Sequence, residues 1–480
     1  LNVQQAVKGL GKKRARRAEL NRGVLVAVVV VVVVVAAVAG WLAYYRVSAG
    51  QRLVVVTYND IKPVIQLAAE EFEASHPGVK VVVVSFPWSS YINNELTVLE
   101  AKSPEYDVVT FTPTSSQLVA PYLVPLEMSY FNQSDIIWDQ EAFGGVYRLS
   151  NGSTEVIGVA IQTWVELLVY NATLFNNATL QQEFYSEYHL SLNPWTWQNW
   201  TAVIDADKFL VGKGLVKYGF LVEDEPSHEL IDTYPAIFEW FYMHNSTLNC
   251  GNPAGLPGYG TMFMGCVPSG WRYPFPPPSF NSTAGVQALE VLRELVAYEP
   301  SPSVMPIGYT ALSQLIEGGS VAGAVAWAND IMGLNSSVAS QLLMAPLPGG
   351  YGEPGSTFLG ISKYSQHKRL ALEFLQFVMS PQFQEKAFYL EGSLPISKEA
   401  YAEIMSNSSL PAYEREWLRA ILIANENATA TPPTVPQTYP YLIPSFNGPV
   451  FSWLQNPTQD PGQLLASIAA QWVRYLSEGS

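Results

Sequence analysis

Residues Gly23 to Tyr45 carry no charge and include eight consecutive valines, Val28 to Val35. At 1.5 Å per residue a helix of this length spans roughly 30 Å, the thickness of a bilayer's hydrocarbon core. Trp41, Tyr44 and Tyr45 stand where interfacial aromatics belong. A buried globular strand is only about 4 to 8 residues long, and lipid forces even a valine-rich backbone to bond internally as a helix. The run therefore predicts one transmembrane helix over 23–45. Lys8, Lys12, Lys13, Arg14, Arg16, Arg17 and Arg22 precede it against a single acid, Glu19. That bias keeps a basic tail, 1–22, in the cytoplasm and places everything after a short linker, 46–51, outside a single-pass anchor in the cell membrane. The apolar core is longer than the roughly 7 to 15 residues of a cleaved secretory signal, so the expected anchor is uncleaved.

The exterior part is long enough for two lobes at ~100 to 200 residues per domain. Removing the eight basic residues and one acid before position 47 leaves 18 Lys and Arg against 40 Asp and Glu, a formal charge of −22. Such a surface repels nucleic acid and anionic lipid. Asn-x-Ser/Thr sequons begin at Asn132, Asn151, Asn171, Asn177, Asn199, Asn245, Asn281, Asn335, Asn407 and Asn427, and are expected to carry glycans on exterior surface. Cys250 and Cys266, the only cysteines, bracket a Gly/Pro-rich loop facing an oxidising medium and are expected to form one disulfide.

Strand and helix alternate from Leu53 onward. Leu53 to Thr57 reads as a buried strand, Ile61 to Ser75 as a helix stopped by Pro77-Gly78, Val79 to Ser85 as a second strand, Tyr91 to Lys102 as a second helix and Tyr106 to Thr110 as a third strand. That rhythm predicts an α/β fold with a parallel sheet and ligands beyond the carboxyl ends of its strands. Asn59 and Asp60 follow the first strand, Trp88 the second, and Phe111, Thr112 and Pro113 the third. Together they offer hydrogen-bonding groups and flat apolar faces to one rim.

The order of several segments resembles the extracellular solute-binding proteins of ABC importers, of the maltose and multi-sugar type. It is carried by EEFEASHPGVKV (70–81), PEYDVVTF (104–111), LVAPYLVPLE (118–127), VIGVAIQTWVELLVYNATLF (156–175), PWTWQNWTAV (194–203), NSTAGVQALEVLRELV (281–296), IEGGSVAGAVAWANDI (316–331), the stretch from 345 to 384 and GSLPISKEAYAE (392–403). The resemblance implies a two-lobed periplasmic-binding-protein-like fold with hinge strands. Lobe 1 would hold 51–160 and 346–392, and lobe 2 would hold 161–345 and 393–480. Ligand would lie in the cleft between them, and a separate permease would read the closed state.

Within that frame, Trp164 follows the crossing strand, Glu225 ends the strand Tyr218 to Val222, and Trp327, Asn329 and Asp330 follow another strand. Trp271 belongs to the aromatic-rich second lobe, where Trp197 and Trp200 are expected to be core. Gly349, Gly350, Gly352 and Gly355 surround Tyr351 and Ser356 and read as a mobile linker at the cleft edge, since no Lys-Ser/Thr follows to make a phosphate loop. VPQTYPYL resembles the family segment that brings late aromatics, here Tyr439 and Tyr441, to the cleft.

His76, His189, His228, His244 and His367 show no His-x-x-x-His spacing, and no Gly-x-Ser-x-Gly elbow is present. No metal, cofactor or catalytic residue is expected, and hydrolysis of ATP belongs to separate permease and ATPase chains. Aromatic faces with Asp, Glu and Asn suit a mono- or oligosaccharide. Acids and aromatics also suit a polyamine, the ligand alternative. The rival of another class is a subunit of a surface filament assembled through the N-terminal helix. Arg17-Ala18-Glu19-Leu20 resembles the class III, prepilin-type processing site of some archaeal surface proteins, and cutting there leaves the helix attached.

Overall fold

The computed structural model describes residues 51–137, 145–149, 153–244, 259–265, 269–270 and 275–478. The expected tail, span and most of the linker, together with Trp271, Cys250, Cys266, Asn151 and Asn245, lie outside the described residues. No helix among the described residues is long and apolar enough to cross a membrane. Contacts group the chain into a small unit, 51–53 with 69–82, and a large one, 54–68 with 83–478.

In the small unit the end of helix Lys62–Ser75 turns through Pro77 and Gly78 into β2 (Val79–Phe86). Gly78 has a φ of 89°, a left-handed conformation that costs a residue without Cβ nothing. The Glu73 carboxylate then takes the Val81 N–H at 2.8 Å and Lys80 Nζ at 2.9 Å, which ties the helix end to the strand after the turn.

The large unit is built on a sheet whose strands are mostly apolar runs. β1 (Gln51–Tyr58) starts two residues earlier than its apolar core suggests, and it pairs in parallel with β3 (Val108–Phe111) through Val55↔Val108. Beyond a short hairpin of β4 (Val146–Arg148) and β5 (Thr154–Val156) comes β6 (Val159–Asn171), thirteen residues long. Four later strands are β7 (Tyr218–Leu221), β8 (Val321–Trp327), β9 (Leu342–Ala345) and β10 (Pro354–Ile361). β6 changes partners along its length. As far as Val165 it runs antiparallel to β10, which in turn borders β3. From Glu166 it runs antiparallel to β8, with β9 beside its last residues, and β7 closes the row in parallel with β8. One strand therefore joins the two halves of a continuous sheet, and its partner change falls between Val165 and Glu166.

The expected linker around Gly355 and Ser356 is instead the start of β10, with all eight residues buried. A Cβ on Gly355 would come within 2.4 Å of the Trp327 ring, so glycine here admits an indole against the strand rather than loosening a loop. The α/β rhythm holds as far as β10, and the described residues after it form helices without a further strand. Trp197 and Trp200 lie in the core, as their spacing predicts, and the last helix, Pro461–Glu478, sets Trp472 among Phe263, Phe280 and Phe446.

Candidate functional site

The partner change in β6 marks a place where loops following several strands converge. On one side β1 delivers Tyr58, whose hydroxyl lies 2.6 Å from Thr357 Oγ1. Trp88, at the first turn of helix Trp88–Glu100, meets Tyr58 edge-on at 4.9 Å and stacks on Tyr91 at 5.1 Å. Its other neighbour comes from the segment after β7: the His228 ring, 5.2 Å away at 63°. Two aromatic contacts on one side and one on the other make Trp88 a bridge across this region.

Beside the bridge lies a concentration of acids, five buried and Glu229 half-buried: Glu166 on β6, Glu223 after β7, Glu229 just ahead of helix Leu230–His244, Asp232 in its first turn, Asp330 on helix Ala328–Met332, and Glu353 ahead of β10. The Glu166 N–H donates to the Glu353 carbonyl at 3.0 Å, so these two are backbone neighbours. Asn329 Nδ2 donates to Asp330 Oδ1 at 3.2 Å, and His228 Nε2 lies 3.2 Å from Asp232 Oδ2. Burial pushes Glu166 up to about 7, against the Thr233 hydroxyl. Burial and then the charges of Glu225 and Glu166 push Glu229 up to about 8. Glu223 is raised by burial first and next by Asp330, Glu229, Glu166 and Asp232; Asp330 and Glu353 are raised by burial and by other members of the same group. Burial alone lowers His228 to about 4, so at neutral pH a neutral imidazole, not a cation, meets Asp232. Tyr309 feels Asp330, Asp60 and Glu223 after its own burial, which puts it between the two sides.

Among the described residues none of the six acids pairs with Lys or Arg. Glu166 Oε2, Glu223 Oε1, Asp330 Oδ2 and Glu353 Oε2 have no hydrogen-bond partner, and neither has Asn329 Oδ1. Five buried acceptors without donors in one place are unusual, because such groups are nearly always satisfied. Beside them, Trp164 and Trp327 sit with ring centres 6.5 Å apart, each half-buried. No group of three or more His, Cys, Asp and Glu among the described residues has the geometry to hold a metal ion. Two surface hollows, one around Val169, Asn171 and Gln341 and one around Tyr130, Gln376 and Ser397, include none of these acids or tryptophans.

Trp88, Trp164, Asn329 and Asp330 therefore meet at this place, with Trp327 on the Gly355 backbone. Asp60 is exposed at its edge, where partial burial raises its carboxyl, and Asn59 precedes it. Glu225 also lies at the edge, accepting from Ser227 Oγ at 2.8 Å. Thr112 caps the next helix, bonded to Thr114 and Ser115, close beneath Tyr91. Ser356 is buried in β10. Others go elsewhere. Phe111 is fully buried and stacks on Phe358, in the core rather than at the rim. Tyr351 faces His244 and Glu239, Tyr439 packs on the large core, and Tyr441 is exposed on Tyr475 of the last helix. The sequence reading did not single out Glu166, Glu223, His228, Glu229, Asp232, Tyr309 or Glu353. Glu166 carried a signal: it is the one charged residue in a thirteen-residue strand.

Asn171, Asn177, Asn199 and Asn335 each cap a helix, their Oδ1 accepting backbone N–H groups. A sequon and a helix start thus share the same asparagine, and a glycan on Nδ2 leaves the capping oxygen free.

Residues 58–385 match the family model of the bacterial extracellular solute-binding protein. No curated protein matches the chain. Among solved structures, maltose-bound T. maritima MalE3 is 17% identical with a TM-score of 0.65, covering 88% of this chain and 98% of its own. An ABC transporter solute-binding protein from Thermotoga lettingae bound with α-D-tagatose is 18% identical with a TM-score of 0.65, covering 89% and 100%. One from Agrobacterium radiobacter in complex with ribitol is 15% identical with a TM-score of 0.65, covering 88% and 98%. At such identities the likeness is one of fold.

Proposed function

The chain belongs to the bacterial extracellular solute-binding protein family, the solute-binding subunits of ABC transporters, and we propose that it captures a sugar-like solute at the Glu166 site and delivers it to a membrane permease. The observation that carries this reading is the convergence of half-buried tryptophans with unsatisfied polar atoms at the partner change of β6. Trp faces stack on the CH faces of a sugar, and hydroxyls donate to orphaned carboxyl and amide oxygens. Maltose, tagatose and ribitol, carried by the fold neighbours, all offer such hydroxyls and lend this reading support.

In this reading 51–160 with 346–392 and 161–345 with 393–480 are the two lobes, β6 and β10 are hinge strands, and Trp88 against His228 is the contact that closes on the ligand. The valine-rich run 23–45 holds the domain outside the membrane, so that captured solute stays near the permease. The sequon asparagines that cap helices are glycan sites, and Cys250 with Cys266 forms the disulfide of the intervening loop. The test is thermal unfolding of the full chain in detergent against a panel of mono- and oligosaccharides, polyols and polyamines. A ligand at about 100 times its dissociation constant stabilises a fold by roughly 2.7 kcal/mol, well above scatter. Stabilisation by at least one member that drops to less than half in Trp327→Ala is the expected result. No shift with any member overturns the reading. A second ligand class, polyamines, is favoured by one observation: six acids with no Lys or Arg paired to them.

A further inference from the structure

We propose that the solute carries at least one protonated amine, and that its ammonium group binds among Glu166, Glu223, Asp330 and Glu353 while its carbon skeleton lies on Trp164 and Trp327. The inference rests on the Glu166 site being the solute site, and narrows its ligand class.

The argument starts from acceptors without donors. A neutral sugar satisfies a carboxyl oxygen with a hydroxyl, but it brings no charge to a group of six acids, and the acids then stay together only by holding protons. Four of the acids, on four different chain segments, each leave one oxygen without a donor. An ammonium group brings three N–H donors and one positive charge, which suits acceptors left without donors on neighbouring segments better than a neutral group of its size does. The groups facing this point come from every neighbouring element: Glu229 and Asp232 on the helix start, Asp60 beyond β1, Glu225 after β7 and Tyr309 on helix Tyr309–Glu317. All are acids or a phenol. The one nearby base, His228, is held neutral by burial. Aromatic faces add to the same preference, since a cation near a Trp face is attracted by its ring electrons. A bare sugar gains only stacking there. The raised acids add a signature: when an ammonium replaces a shared proton, that proton leaves to the buffer.

Two sources supply this chemistry, amino sugars and aliphatic polyamines, and the experiment separates them. Full-length protein in detergent is titrated calorimetrically at pH 7 with glucosamine and chitosan oligomers, with spermidine, and with their neutral counterparts N-acetylglucosamine, chitin oligomers and maltose. The runs are repeated in two buffers of different ionisation enthalpy. Tighter binding of an amine than of its neutral counterpart by about 100-fold or more, with release of roughly one proton per ligand, is the expected result. An amino-sugar hit with silent spermidine assigns a saccharide amine, and the converse assigns a polyamine. Glu166→Gln and Asp330→Asn, each checked for folding by circular dichroism, are expected to cut amine affinity at least tenfold and to reduce proton release. Neutral sugars binding as well as or better than amines overturns the amine inference and leaves solute capture standing. Silence of every ligand overturns both.

Discussion

Asp107 and Glu166 are both about 2% exposed, and they live in opposite circumstances. Asp107 opens β3: its Oδ2 accepts the Val54 N–H at 2.8 Å and its Oδ1 accepts the Ser365 hydroxyl at 2.6 Å. Both oxygens are bonded, so the carboxylate ties β1, β3 and the turn after β10 together. Glu166 sits in the middle of a strand, has one oxygen without a donor and faces five other acids. A carboxyl buried with its hydrogen bonds made acts as a structural clamp, whereas a carboxyl buried without them is a cost that folding alone does not explain. Glu95 shows that burial by itself is tolerated: it stands near Tyr91 and the Thr110 backbone with no other acid acting on it, where taking up a proton suffices. The Glu166 group is set apart by being many acids in one place, and that is how sites differ from cores.

pH makes the largest difference between the two. Glu166 and Glu229 are lifted from the ordinary 4.5 to about 7 and about 8, so the folded chain holds protons there that the unfolded chain has released. Stability is then complete below the unfolded carboxylate range and falls as pH rises through these folded values. Urea unfolding of the ligand-free protein is expected to lose on the order of 4 kcal/mol between pH 4.5 and pH 8, less than the sum of the single shifts because the groups are coupled. Glu166→Gln should flatten that slope. A profile that rises toward pH 8 would erase the contrast with Asp107.

Removing the clamp is the next largest effect. Asp107→Ala leaves the Val54 N–H and the Ser365 hydroxyl buried without an acceptor, and is expected to destabilise the fold by about 3 kcal/mol. A loss under about 1 kcal/mol in the urea midpoint would mean water replaces the carboxylate. Trp327→Ala acts on the other half of the comparison. It removes the indole that rests on Gly355 beside the acids, and solute affinity is expected to fall roughly 20-fold, near 2 kcal/mol, in the same calorimetric titration. Equal affinity would move the site away from the acids.

Sequence alone shows the strands well and the site partly, for a physical reason. β1, β3 and β8 are apolar runs bounded by turn residues, so the pattern that buries them is local. Trp327, Asn329 and Asp330 are visible as polar and aromatic groups just past a strand end, where α/β folds bind ligands. The acids that complete the site come from segments 57 to 187 residues away from Glu166, at Glu223 and Glu353 for example, and nothing local says they meet. Phe111 and Tyr441 show the reverse error. Both are aromatics at plausible places, but the register of β3 on β10 turns Phe111 into the core, and the last helix takes Tyr441 onto Tyr475.

Asp207 is the intermediate case and the smallest effect. Its Oδ1 accepts the Phe220 N–H at 2.7 Å, its Oδ2 has no partner, and burial raises it; it lies outside the Glu166 group, and the acid that feels its charge is Glu299. Gly219 lies so close that a Cβ there would come within 2.4 Å of the carboxyl, which fixes the side chain in place. Asp207→Asn keeps the bonded oxygen and swaps a protonated hydroxyl for an amide donor of similar size. The stability change is expected to stay under about 1 kcal/mol at pH 4.5. The informative quantity is the slope with pH. If clustering governs the pH response, Asp207→Asn should shift it much less than Glu166→Gln does, because the charge of Asp207 is felt by Glu299 whereas that of Glu166 is felt by five acids. If the two variants flatten the profile equally, burial alone sets the response, and the Glu166 group loses its claim to be different in kind from the carboxyls of the core.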